Sequence, residues 1–453
     1  MIQKGLATLD PLPKFNTPTT LEGEINMGRI LSLEHYSPED GYKTPYEYRI
    51  AEEDLTHGYF AGSAGTGKTV AAMRLVKELS EIRRKKTGER LRIVCMDTGK
   101  DWRKLSLVVE PERFRFYHMA NPEFHPLKLN PCKIPKGVKA FDWVDTIVEC
   151  YSRSYGFLER GEQMIAETFY ELYDKAGVFE AQDKPDWKET VPELSKQVTF
   201  VAAREAMKEK YEEAKAIAKA NLDENGMRTK GSHDTVDACS RLLERLSPFG
   251  TPYSVEYTLY GSPDGLSIDE LFGDDDITVL EGKGLEGTFR SFIFSIITCG
   301  THNCAKAQED GFLADNQYET VLMIEDADEL IHGFEFARNC FEFARKYNAQ
   351  DYGVFIFAIT RSMYYLAKIA TSMCGLNFAG NTVREKDVDA LCHSTGLDKG
   401  MRRAFPLLPI GWFVCQNSKT TQMAHDDPVL TRIEPLNVPT PTDKELDEIL
   451  TRK

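Results

Sequence analysis

The sequence predicts an α/β protein: a mainly parallel sheet with helices on both faces, joined to a small N-terminal β element and interrupted by a helical insertion. Three observations lead there. From His57 onward, strand-like runs alternate with runs of helical period, the alternation that places helices over both faces of a parallel sheet. A glycine-rich loop, residues 62–69, lies between the first such strand and the first such helix. Between residues 137 and 250 the alternation stops, and long Ala-, Glu- and Lys-rich stretches such as Glu205–Leu222 take over.

Taken in order, residues 1–22 are rich in Pro and Thr, show no period and read as an arm. Residues 23–54 carry short alternating stretches, Ile30–Leu33 and Tyr46–Ile50, around the turn-forming Ser37-Pro38-Glu39-Asp40-Gly41, a pattern for a small β element. The first part of the core is expected over residues 55–136, with strands at Tyr59–Ala61 and Leu91–Asp97 and a helix over Lys68–Ile82. The helical insertion follows at 137–250. The core resumes over 251–436, with strands at Ile277–Glu281, Val321–Asp326, Val354–Thr360 and Leu376–Gly380, and helices at Leu285–Cys299 and Phe334–Tyr347. Edge strands are expected at Trp412–Cys415 and Leu430–Ile433. Residues 437–453 form a tail whose short helix starts at Thr442, because Thr442 and Glu445 have the spacing of a capping box.

Bulk properties narrow the function classes. The chain of 453 residues is 42% hydrophobic and 28% charged, ordinary for a soluble protein. It shows no secretory leader and no apolar run of about 20 residues, so a cytoplasmic protein without stable membrane insertion is expected. Ten cysteines are scattered without C-x-x-C pairs or zinc spacing, which argues for a reduced compartment and against a structural metal. The net charge of −15 would repel a phosphate backbone, so any nucleic-acid contact has to use local basic patches such as the lining of a ring. Arg83-Arg84-Lys85-Lys86 is the densest basic run, but a run after a helix reads first as a solvated helix end.

The chemistry begins at Gly62-Ser63-Ala64-Gly65-Thr66-Gly67-Lys68-Thr69, which matches G-x-x-x-x-G-K-[ST] between a strand and a helix. Glycines let the backbone curl so that its N–H groups converge on a phosphate, and the helix that begins there, through Thr69 and Val70, adds its positive end. Lys68 is expected on the β- and γ-phosphates of ATP, and the Thr69 hydroxyl on Mg²⁺. The second requirement is a buried strand ending in acids, met by Val321-Leu322-Met323-Ile324-Glu325-Asp326. Keeping the register, Glu325 belongs to the metal shell and Asp326 orients the attacking water; Asp328 and Glu329 make the whole turn acidic. A third strand ends in Thr360-Arg361, where Thr360 is the candidate sensor of the γ-phosphate.

With these motifs in place the chain resembles the HerA/FtsK superfamily of ring-forming, DNA-pumping P-loop ATPases, and most closely its HerA-like branch. The resemblance runs through Gly28-Arg29-Ile30 and Leu55–Gly62, Cys95-Met96-Asp97-Thr98-Gly99-Lys100-Asp101, Leu129-Asn130-Pro131 with Ile134–Val138, Thr278–Leu285, and Phe405–Val414 with Asp427-Pro428-Val429. It implies a RecA-like core, a homohexamer, double-stranded DNA as partner, and a nuclease or other effector protein working alongside. The chain departs from the family pattern at three places. The acid pair is inverted, the family's sensor glutamine falls on Thr360, and the arginine that follows the late strand is missing near Ala379 and Gly380. An arginine finger offered to a neighbouring subunit would then be Arg361 or Arg384. An ATPase of conjugative secretion or of viral genome packaging shares the same core, and a slow, ATP-regulated assembly scaffold is a reading from a different class.

Overall fold

The structure of the protein, a computed structural model, describes residues 21–31, 36–37, 41–42, 45–85, 88–220, 230–273, 276–311, 319–328, 353–366, 373–397, 402–420 and 428–452. Its strands are β1 Ile25–Ile30, β2 Tyr36–Ser37, β3 Gly41–Tyr42, β4 Glu47–Ile50, β5 Gly58–Ala61, β6 Arg92–Asp97, β7 Phe114–His118, β8 Ile277–Glu281, β9 Thr320–Ile324, β10 Val354–Thr360, β11 Leu376–Ala379, β12 Trp412–Asn417 and β13 Val429–Ile433. Among the described residues, eleven of them form one sheet in the order β4-β1-β13-β12-β11-β5-β10-β9-β6-β8-β7. From β11 across to β7 the neighbours are parallel, and from β11 the other way they are antiparallel. The N-terminal β element is thus continuous with the main sheet, because β1 pairs with β13; β12 and β13, expected as edge strands, therefore lie inside the sheet, and β4 forms that edge.

Alternation along the strands explains why this sheet is buried on both faces. In β10, Val354, Ile356 and Ala358 join one apolar cluster, whereas Phe355, Phe357 and Ile359 join the other. β6 divides likewise, Val94 and Met96 against Ile93 and Cys95. A one-residue slip would exchange the two sets, so burial on both faces fixes the register. Helix α1, Lys68–Glu81, covers one face through Ala72, Leu75, Val76 and Leu79. On that face the rings of Phe60 and Phe378 stack with centroids 4.4 Å apart.

The other face is covered by a helical layer: α2 Ala140–Tyr155, α3 Glu159–Lys175, α4 Val178–Gln182, α5 Trp187–Ser195, α6 Phe200–Ala220, α7 Lys230–Leu246, α8 Val255–Tyr260, α9 Ile268–Leu271 and α10 Gly287–Glu309. Helix α10 is buried around most of its circumference; such a helix lies between two layers rather than at a surface. It touches β10 on one side and α2 on the other, where the Asn303 amide donates to Thr146 Oγ1 at 2.8 Å. Phe292 of α10 meets Tyr151 and Phe200 edge-on, anchoring the insertion to the sheet. Helix α11, Glu385–Ser394, follows β11. Helix α12, Asp443–Thr451, starts at the capping box of Thr442 and Glu445. The helix expected over Phe334–Tyr347 lies outside the described residues, as does Glu329.

The parallel strands end together, so their C-terminal loops line one rim. That rim carries the glycine-rich loop after β5, Asp97 at the end of β6, Glu325 and Asp326 after β9, and Arg361 after β10.

Candidate functional site: the phosphate loop and its acids

The loop has the backbone that an anion cradle needs. Gly65 and Gly67 adopt left-handed conformations, with φ of 76° and 94°, and Gly67 is the residue at which α1 begins. At Gly62, a Cβ would lie 2.9 Å from Thr66 Oγ1 and 3.1 Å from the Asn381 carbonyl, so a side chain there would have to push the loop's own Thr66 aside. Internal bonds close the curl: Thr66 Oγ1 and Lys68 Nζ both donate to the Ser63 carbonyl at 2.9 Å. Burial, and next the positive charge of Arg361, pulls the Lys68 ammonium below its usual range, while the three nearby acids push it back up. A site that strains an ammonium in this way gains from an incoming polyphosphate. Ala64 and Gly65 are exposed at the tip, and the Val70 side chain packs against the apolar cluster under α1.

Thr69 and Glu325 come together, the hydroxyl donating to Glu325 Oε1 at 2.7 Å. The two supply hard oxygen ligands at one point, beside the loop that would hold the phosphates. That donor set fits Mg²⁺, which favours one or two protein oxygens plus phosphate and water. Asp326 adopts a left-handed conformation with φ of 47°, uncommon for a residue other than glycine but tolerated by Asp. The resulting turn aims its carboxylate sideways, where Oδ2 accepts from Thr98 Oγ1 at 2.6 Å and Oδ1 pairs with Arg361 Nη2 at 2.9 Å.

Thr360 is placed differently from a residue reaching for a γ-phosphate. Its fully buried hydroxyl donates to Asp328 Oδ1 at 3.1 Å and bonds with Ser362. Asp328 Oδ1 also accepts from the Arg361 amide at 2.9 Å, so the third acid of the turn ties the ends of β9 and β10 together. Arg361 stands in the open half of the site, its side chain 48% exposed and bound to Asp326 of its own chain. Arg384 lies 5.8 Å over the Tyr365 ring and 3.8 Å from Asp387, at the start of α11. Of the basic run after α1, Arg84 is buried against Glu52 and Glu319, Lys85 pairs at the surface with Glu24 and Glu53, and Lys86 lies outside the described residues.

Three residues that the motifs quoted or passed over complete the site. Asp97 is wholly buried, and its carboxyl is pushed well above the usual range, first by burial and then by the charge of Glu325, with which it shares a hydrogen bond. Thr98 holds Asp326. Trp102, in the 3₁₀ turn Asp101–Leu107, donates its indole N–H to Glu325 Oε2 at 3.2 Å. Asp97 and Thr98 are visible as polar residues at a strand end neighbouring the acid strand. Trp102 leaves no such trace, since a buried Trp reads as core. The same turn reaches away from the site: Arg103, buried, pairs with buried Glu281, and Arg103 and Lys100 both pair with Asp443 of α12.

Fold and site together define a RecA-like P-loop nucleotide-binding fold. No protein-family profile matches the chain, and no curated protein matches it in sequence. Among solved structures it is similar to VirB4 of Thermoanaerobacter pseudethanolicus, with a TM-score of 0.63 at 12% identity, covering 93% of this chain and 99% of that one. It is also similar to the bacterial conjugative coupling protein TrwB, with a TM-score of 0.54 at 12% identity, covering 94% and 98%. TrwB bound to the non-hydrolysable GTP analogue GDPNP matches equally, at 0.54 and 12%. Among the described residues, no helix is long and apolar enough to cross a membrane.

Proposed function

We propose that the protein is an ATP-hydrolysing ring motor of the HerA/FtsK superfamily that moves DNA. The observation that carries this reading is the meeting of Thr69 with Glu325 at 2.7 Å, next to Asp326 held by Thr98 and Arg361. Bound Mg²⁺ would neutralise charge on the β- and γ-phosphates. Thr69 and Glu325 would hold it, Lys68 would move from the Ser63 carbonyl to the phosphates, and Asp326 would orient the attacking water and take its proton. With the Thr360 hydroxyl turned toward Asp328, Arg361 takes over contact with the γ-phosphate within its own subunit. Phosphate binding at Asp326's side would draw Arg361 off and free the Asp326 carboxylate for water.

A second reading, an ATPase of conjugative transfer, is favoured by the end-to-end overlap with VirB4 and TrwB, which covers nearly the whole of each neighbour. Both readings call for a homohexamer and a nucleic-acid or protein cargo. One dilution series tests the motor, with ATPase rate and sedimentation read on the same samples, with and without double-stranded DNA. Turnover per subunit should rise over the concentrations at which hexamers form and rise again with DNA, and DNA binding should weaken steeply with salt. Full turnover by a monomer, indifferent to DNA, would defeat the motor reading and leave a P-loop ATPase of another purpose; rings that form with ATP but hydrolyse it slowly whether or not DNA is present would favour the scaffold.

A further inference from the structure

The topology fixes which way a bound nucleotide points. Along the sheet, β10 and β9 lie on one side of β5 and bring Arg361, Glu325 and Asp326; β11 and β12 lie on the other. A triphosphate whose γ end reaches the acids must therefore send its nucleoside end toward the loops that follow β11 and precede β12. Those loops are fastened to the phosphate loop. The Ser63 amide donates to the Asn381 carbonyl at 2.7 Å, and the Gly411 amide donates to the Thr66 carbonyl at 3.0 Å. Asn381 in turn donates to the carbonyls of Pro406 and Leu408, so the two loops form one support.

At its tip stands Ile410, 77% exposed. A Cβ at Gly67 would lie 3.9 Å from Ile410 Cγ2 and 3.5 Å from the Gly411 amide nitrogen, so turn and loop are in van der Waals reach. Gly411 has φ of 81°, the left-handed conformation that lets the backbone come this close. Single exposed aliphatic residues are ordinary on protein surfaces. This one is held rigidly against the phosphate loop, on the side opposite the acids, with its apolar face open.

We propose that the Ile410–Gly411 turn is the platform on which the purine base of the bound nucleotide packs, a subsite that rests on the reading of residues 62–69 as a triphosphate site. The flat face of a purine covers more of the isoleucine than a pyrimidine can, so the turn contributes affinity for the base in proportion to apolar area removed from water.

Equilibrium calorimetry with Mg-AMP-PNP and with magnesium tripolyphosphate, which has no base, tests the assignment on the full chain. Ile410→Ser should weaken AMP-PNP by roughly ten-fold, the loss expected for one aliphatic contact, and leave tripolyphosphate within about two-fold. Ile410→Phe, which restores an apolar face, should return AMP-PNP binding to near the wild-type value. Unchanged AMP-PNP binding in Ile410→Ser overturns the proposal, and so does an equal loss of both ligands, because the turn would then act on the loop rather than on the base. Lys68→Ala should lose both ligands; wild-type binding of both in that variant would sink the phosphate site itself, an outcome the Ile410 variants do not mimic.

Discussion

Trp102 contacts the proposed metal-shell carboxylate without touching substrate, and Trp102→Phe isolates that contact. Phenylalanine keeps the ring in the core and removes the indole N–H that reaches Glu325 Oε2 at 3.2 Å. A hydrogen bond to a buried charged group contributes about 1.5–3 kcal/mol. If the carboxylate loses that much of its positioning in the hydrolytic state, turnover falls by about 10- to 150-fold. The smaller ring also leaves a void, costing about 1–2 kcal/mol of stability. Stability alone would not alter metal use. The discriminating assay is steady-state ATPase at saturating ATP across a Mg²⁺ titration: kcat should drop, the Mg²⁺ concentration for half-activity should rise, and the KM for ATP should change little. A variant that is destabilised yet keeps wild-type kcat and Mg²⁺ dependence would refute the argument and return Trp102 to the core.

Other outcomes follow from the same geometry. Asp326→Asn should keep ATP bound and lower turnover by about 10²-fold or more, as expected on losing a general base; normal hydrolysis would move the role to another group. Arg361→Ala should also lower turnover, and because Arg361 pairs with Asp326 of its own chain, mixing it with Lys68→Ala subunits should restore nothing. Recovered activity in the mixed rings would make Arg361 a residue donated between subunits. Buried His57 accepts the Ile356 amide at Nδ1, 3.0 Å away, and burial pushes its pKa down to about 3. The unfolded chain therefore binds a proton that the folded chain refuses. Stability should fall by up to about 1.4 kcal/mol per pH unit as pH drops below 6.5, levelling near pH 3. Thermal melts of wild type and His57→Gln between pH 7 and 5 should show a shallower slope for the variant, and parallel slopes would exclude His57 as the source.

Much of this molecule was legible in its sequence because the responsible signals are local. The loop at 62–69 is written in consecutive residues, and the inner strands of the parallel sheet announce themselves as short apolar runs because both their faces are covered; β7, at the sheet's edge with Arg115, Tyr117 and His118 only partly buried, gives no such run and was not expected. Thr442 and Glu445 mark the start of α12 by spacing alone. What escaped depends on partners distant in the chain. Thr360 has the right place for a sensor, but its hydroxyl is claimed by Asp328, 32 residues earlier. Trp102 and Glu325 are separated by 223 residues, and nothing in either neighbourhood names the other. The pairing of β1 with β13 joins residues about 400 positions apart, and it places β12 and β13 inside the sheet where their sequence alone suggested an edge.

The Arg103, Glu281 and Asp443 group carries an evolutionary consequence. Removing one member of a buried ion pair strands the other charge, a loss of about 3–5 kcal/mol, whereas exchanging the members together for apolar residues can be neutral. Drift through single substitutions is therefore blocked at Arg103 and Glu281, both almost completely buried, and is freer at half-exposed Asp443. In homologous chains the first two positions should change as a pair or not at all. The Asp443 position should follow the charge at Arg103, so that α12 and the turn bearing Trp102 drift as one heritable unit.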